Sequence, residues 1–175
     1  NNNDAYAHAS FLNYTTNKIM LEWNHEYVNK NYNAETGFTP RIFQTDYSTG
    51  KLNRVSYWRI EPRARYFIYP KGKRINRMGP DFYLDHYMND KFTTTDLHIQ
   101  AGWFMFFQNT SELSVFYDNI YTKLLFPTDI TFAGNPALPA GDYYYHNALL
   151  RWKSDVRRVF NVSTALNYGS YFTGN

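Results

Sequence analysis

The chain has 175 residues, with 18 Lys and Arg against 15 Asp and Glu, and its net charge of +3 is too slight to imply nucleic acid as a partner. It is 43% hydrophobic and 20% aromatic, with 17 Tyr and 14 Phe, yet its mean hydropathy is -0.60. Its longest apolar run, Trp103 to Phe107, falls far short of the roughly 18 residues of a helical span, and the lack of cysteine excludes disulfides and thiolate metal sites.

Period-2 alternation predicts eight strands in four hairpins. The first runs from about Ala5 to Asn13 and the second from Lys18 to Asn29, joined by the turn YTTN. The third covers Leu52 to Ile68 and the fourth Ile75 to Met88, around YPKGKR with Pro70 and Gly72 as breakers. The fifth and sixth are the clearest pair: Leu97 to Phe107, the break QNTS, then Glu112 to Phe126. The seventh spans Tyr143 to Lys153 and the eighth Arg157 to Phe172, turning at Ser154 and Asp155. Between hairpins lie Lys30 to Lys51, the short Asn89 to Phe92, and Pro127 to Asp142. The last holds GNPALPAG, whose breakers predict a mobile loop.

The two parities of each strand differ in character. In the fifth, Leu97, Ile99, Ala101, Trp103, Met105 and Phe107 form one apolar face, while Asp96, His98, Gln100 and Gly102 form the other. Charges elsewhere sort the same way, selecting Glu22, Glu26, Arg59, Glu61, Arg63, Arg65, Asp81, Asp85, Arg151 and Lys153 as one polar wall. The eighth strand is expected to set Asn161, Ser163 and Asn167 against Phe160, Val162, Leu166 and Tyr168. A lipid-facing Arg at mid-depth costs roughly 2 to 4 kcal/mol, which is the reason a transmembrane strand sorts its charges. Arms of this length suit a tilted strand crossing a bilayer. The expected fold is an all-β, antiparallel up-and-down meander, part of a transmembrane outer-membrane β-barrel with these charges facing the lumen.

Short turns within the pairs and long connections between them read as periplasmic and extracellular sides. The first strand then starts outside and the last ends outside, whereas an intact barrel of this class has both termini in the periplasm. The chain also opens NNNDAYAH, without an initiator Met or signal peptide. Residues 1–175 are therefore expected to be a single barrel segment, a piece of a larger barrel. Pro62 and Pro80 stand against strand interiors; a bulge or the rim would accommodate them, and a turn centred near Lys71 would set them opposite each other.

The remaining chemistry is sparse. His8, His25, His86, His98 and His146 lack metal-ligand spacing and read as interface or lumen histidines, with no cofactor implied. Asp81 with Asp85, or Glu22 with Glu26, lie about 13 Å apart along a strand, too far for either glycosidase geometry. Cross-strand carboxylate pairs stay open, but the neighbouring arginines better suit a salt-bridge ladder. Tyr6, Tyr27, Trp58, Tyr66, Tyr87, Tyr121, Tyr143, Trp152 and Tyr168 near strand ends fit interface girdles, with a sugar-stacking platform as the rival.

One segment has the look of a signature. NYNAETGFTPR, Asn31 to Arg41, resembles a motif close to Phe-Asn-Pro-Glu-Val-Gly-Phe-Val-Pro-Arg. That motif belongs to an uncharacterised family of bacterial outer-membrane β-barrel proteins that carry a carbohydrate-binding family 9-like module ahead of the barrel. Asn33, Glu35, Gly37, Phe38, Pro40 and Arg41 match it, while Ala34 replaces the usual Pro and Thr36 and Thr39 replace apolar residues. The resemblance is best over Ile19 to Asp85. It implies a Gram-negative outer-membrane location and a barrel, with the family's hydrolase or carbohydrate-binding labels resting on the module this chain lacks. Gly37 and Pro40 would fix a turn, and Phe38 and Arg41 would hold the first long loop in one conformation.

The function expected is non-enzymatic: a porin-like channel, a transport component or an envelope scaffold. The alternative is a surface glycan-binding or glycan-processing protein whose active module lies outside this segment. Outer-membrane lipid is the expected partner, with other envelope proteins and glycans as further candidates.

Overall fold

The computed structural model describes residues 5–33, 41–131 and 133–172. They form ten strands: β1 (Ala7–Thr15), β2 (Ile19–Val28), β3 (Phe43–Asp46), β4 (Lys51–Arg54), β5 (Tyr57–Tyr66), β6 (Ile75–Met88), β7 (Thr94–Phe107), β8 (Glu112–Leu124), β9 (Gly141–Lys153) and β10 (Ser163–Gly169). Eight make one antiparallel meander in the order β1-β2-β5-β6-β7-β8-β9-β10, and β3 and β4 form a separate hairpin. The described residues contain no helix. The large sheet is not closed, so β1 and β10 are its two edges.

Turn chemistry explains the hairpins. At β1–β2 the Thr16 hydroxyl accepts the N–H groups of Lys18 and Ile19 (3.2 and 3.0 Å). At β7–β8 the Asn109 carboxamide oxygen accepts from the Ser111 amide, and Thr110 takes a φ of 66°. Such side-chain acceptors satisfy donors that the ladder cannot.

Four expectations need correction. The long third strand is two pieces: Lys51 to Arg54 turns back on Phe43 to Asp46 inside the first long loop, because Asp46 caps a tight turn. Its carboxylate accepts from the Ser48 amide and from the hydroxyls of Ser48 and Thr49, and Gly50 supplies the positive φ of 68°. The last strand begins at Ser163 and not at Arg157, leaving Phe160, Asn161 and Val162 in the turn. There Asp155 accepts from the Arg157 amide, and Ser154 N–H donates to Val162 O across the loop (3.0 and 2.9 Å). The GNPALPAG loop is tied: Thr128 and Leu138 exchange both backbone bonds (3.0 and 2.9 Å), and the Asp129 carboxylate accepts from Thr131 and Gly134.

The prolines do not face each other. The register sets Pro62 against Trp23 and Pro80 against Trp103. Ladder pairing between β5 and β6 lapses between Ile60/His86 and Arg63/Tyr83, and again beyond Arg65/Asp81, so each missing N–H falls in a gap. At the second gap a Cβ on Gly79 would lie 1.8 Å from Tyr66 O, so this approach of two backbones requires glycine.

The β3–β4 hairpin packs on the long-loop end of the sheet. Ile42, just before it, is 0% exposed and joins Val28 and Tyr57 in a core flanked by Tyr32 and Tyr87. Tyr47 N–H donates to Pro127 O (2.9 Å), tying the hairpin to the β8–β9 connection.

Candidate functional site

Directly opposed residues in an antiparallel sheet share a face. The register therefore reads out rows across the strands, such as Glu22–Arg63–Tyr83–Gln100–Asp118–Asn147 and Met20–Arg65–Asp81–Gly102–Phe116–Leu149–Asn167. All ten charged residues selected from the sequence, Glu22, Glu26, Arg59, Glu61, Arg63, Arg65, Asp81, Asp85, Arg151 and Lys153, fall on this one face.

Most of its charges are paired. Asp81, only 3% exposed, accepts from Arg63 (3.1 and 2.8 Å) and also from Arg65. Arg59 grips Asp85 with two bonds (2.7 and 3.0 Å) and lies 3.0 Å from Glu61. Glu61 in turn accepts from Tyr83 (2.7 Å) and Asn24 (3.0 Å). His98 and Gln100 both reach Asp118 at 2.8 Å. Glu22 accepts from Asn13 at 3.3 Å. Paired, hydrogen-bonded charge is how a protein tolerates ions away from bulk water. Asp118 and Arg77 were not selected from sequence, although the apolar parity of Val115 and Tyr117 already implied that Asp118 faces the other way.

The face is concave. One cavity of about 420 Å³ is lined both by Arg63 and Arg65 of β5 and by Arg151, Lys153 and Ser163 of β9 and β10. Phenyl rings floor it: Phe104, 2% exposed, lies under Arg65 (4.6 Å to the centroid), and Phe116 lies near Arg151 (6.0 Å). Arg77 sits between Phe67 and Phe106, 4.9 Å from each.

Of the loop motif, Glu35, Gly37, Phe38 and Pro40 lie outside the described residues. Asn33 is exposed in the loop after β2. Arg41 takes a φ of 66°, lies 3.9 Å from the Tyr87 centroid and is ion-paired with Asp96, so the loop is anchored here onto the charged face. Tyr87 and Tyr143 also lie on that face, not among the interface aromatics.

The opposite face is mainly apolar and largely exposed, with His86, Asn119, His146 and the Lys123–Asp142 ion pair as polar exceptions toward its long-loop end. Ile19, Leu21, Tyr66, Phe82, Val115, Tyr117, Leu150 and Leu166 are all open to the surroundings. It carries all four tryptophans, Trp23, Trp58, Trp103 and Trp152. Among the described residues no second layer covers Trp103 or Trp152, which are 39% and 44% exposed. At the long-loop end of this face Tyr6, His8, His25, Tyr27, Trp58 and Phe92 form one aromatic cluster, with Tyr27 and Trp58 centroids 4.5 Å apart. His8 and His25 meet at 3.2 Å between Nε2 atoms, a cross-strand pairing their sequence spacing does not reveal. No group of three or more metal-ligating side chains occurs among the described residues.

No family model, no curated protein and no solved structure matches the chain. The resemblance, centred on Asn31 to Arg41 and best over Ile19 to Asp85, has no support from these comparisons.

Proposed function

We propose that this sheet is an arc of an outer-membrane β-barrel, acting without catalysis as a channel, a transport component or an envelope scaffold. The observation that carries the reading is the inverted sorting of its faces. Paired charges occupy the concave side, and a broad apolar surface lies open on the other. Such a surface in water costs roughly 25 cal/mol for each Å² left exposed, and contiguous apolar patches this broad mark an interaction surface. Lipid satisfies it without a second protein layer.

The spacing of the aromatics supports the same reading. Trp58 and Tyr66 on β5, and Tyr144 and Trp152 on β9, are each eight residues apart on the apolar face. Eight residues of strand span about 27 Å, or about 21 Å when tilted by roughly 40°, close to the apolar band of about 25 Å between aromatic girdles. The acids are held by arginines and hydrogen-bond donors, an arrangement suited to a stable wall.

The test is fluorescence in vesicles of brominated phospholipid. Because all four tryptophans share the apolar face, most of the emission should be quenched relative to unbrominated lipid. Unquenched emission would sink the barrel reading. A second reading, a glycan-stacking rim, is favoured by the Tyr6–His8–Tyr27–Trp58–Phe92 cluster, in which Tyr6, His8 and Phe92 are exposed, Trp58 is half-buried and Tyr27 is buried. It predicts saturable binding of oligosaccharide that the Trp58→Ala variant loses.

A further inference from the structure

Charge on the concave face is sorted along the strands as well as across them. In the three rows nearest the long loops, Glu22, Glu26, Glu61, Asp85, Asp96 and Asp118 stand against Arg59 and Arg63. In the rows nearest the short turns, Arg65, Arg77, Arg151 and Lys153 stand against Asp81 and Glu112. The cavity at that basic end draws Arg63 in from the neighbouring row, so four cations meet there.

Those cations are under-neutralised. Arg63 and Arg65 share the single carboxylate of Asp81. Lys153 and Glu112 make only a loose pair at 3.7 Å. Arg151 has no carboxylate within ion-pair distance among the described residues, its contact being the Phe116 ring. A guanidinium beside a phenyl face keeps in-plane N–H groups for an oxyanion, and a fork of two such donors matches a carboxylate. The hydroxyl-bearing Ser114 and Ser163 and the rings of Phe104, Phe106 and Phe116 complete the lining. About 420 Å³ is the size of a small-ligand site.

We infer that this basic, phenyl-floored concavity binds a small carboxylate-bearing solute, the carboxylate held by Arg151 and Lys153 with Arg63 and Arg65 behind them. The inference deepens the barrel reading, on which it rests, by naming the class of solute that the inner wall selects. The acidic rows above would repel such an anion, so it is held at the short-turn end.

Glucuronate and glucose differ at one position, carboxylate against hydroxymethyl, and so isolate the charge. Calorimetric titration of the purified protein in detergent should show glucuronate binding that weakens with added NaCl, and no binding of glucose. Arg151→Ala combined with Lys153→Ala, both exposed and cheap to truncate, should weaken glucuronate at least tenfold, and Glu112→Gln should tighten it. No heat with glucuronate, equal heat with glucose, or an unchanged affinity in the double variant would overturn the site. Lipid quenching read on the same protein after transfer to brominated-phospholipid vesicles separates the two ideas. Quenching without glucuronate binding removes only the site, whereas loss of quenching removes the barrel.

Discussion

Asp81 is the residue on which the charged wall turns. Its carboxylate is buried and is shared by two guanidiniums, so removing its charge leaves Arg63 and Arg65 facing each other without a counter-ion. Breaking a buried pair costs about 3 to 5 kcal/mol because the surviving charge is uncompensated. Arg63 is a third exposed, which lowers the figure; Asp81→Asn should cost about 3 kcal/mol, read from urea unfolding in detergent. Asp155 in the β9–β10 turn supplies a contrasting case. The Arg157 guanidinium and amide, with the Thr110 hydroxyl, hold its carboxyl well below the usual carboxylate range. A depressed folded value means the ionised form is the stabilising one. Its contribution is complete above the usual range and is lost only as pH falls through the depressed value. Amide exchange at Arg157, corrected for intrinsic rate, should stay slow down to about pH 3, and Asp155→Asn should speed it at pH 6.

At the scale of elements, the β3–β4 hairpin is the piece that makes the long-loop end more than a set of connections. Ile42 plugs it into Val28 and Tyr57, Arg41 clamps it to Asp96 and Tyr87, and Tyr47 ties it to the β8–β9 connection. A buried Ile cut to Ala costs about 2 to 5 kcal/mol. Here the loss should be local, since the hairpin touches the sheet at its end and not along its ladders. Ile42→Ala is expected to open residues 41–56 to limited proteolysis while the eight-stranded sheet stays resistant. Cleavage within the sheet at the same rate would show that the hairpin is an integral part of it. Phe43, Gln44 and Thr45 of the hairpin line one cavity with Asp96 and Thr122, so the hairpin stands at the long-loop end of the charged face.

For the whole molecule, the open edges matter as much as the faces. β1 and β10 each present one side without a ladder partner among the described residues. In lipid every unpaired backbone N–H and C=O costs several kcal/mol, so a spanning sheet must close. We propose that further strands pair with both edges in a larger barrel. The protein drawn from its native membrane should then be heavier than the 20.8 kDa of these residues, and a mature species of that mass would count against it.

What the sequence by itself determined is the alternation. Period-2 sorting placed eight antiparallel strands, the apolar parity of Trp103 and Trp152, and ten charges on the opposite parity, because side-chain direction in a strand follows from counting by two. Position along the neighbouring strand is a different quantity. It depends on turn geometry and on ladder gaps such as those at Pro62 and Pro80, which no local pattern encodes. Only the tertiary structure therefore joined Asp81 to both Arg63 and Arg65 and brought His8 to His25, whereas the place of Tyr87 on the charged wall was already set by the parity it shares with Asp81 and Asp85. The β3–β4 hairpin was hidden for a related reason. Its strands are four residues long and polar, too short to show a period, and they persist because Asp46 caps their turn and Ile42 is buried against residues distant in the chain. Curvature too was decided by the tertiary structure, since bringing β5 and β10 to one cavity requires the sheet between them to bend.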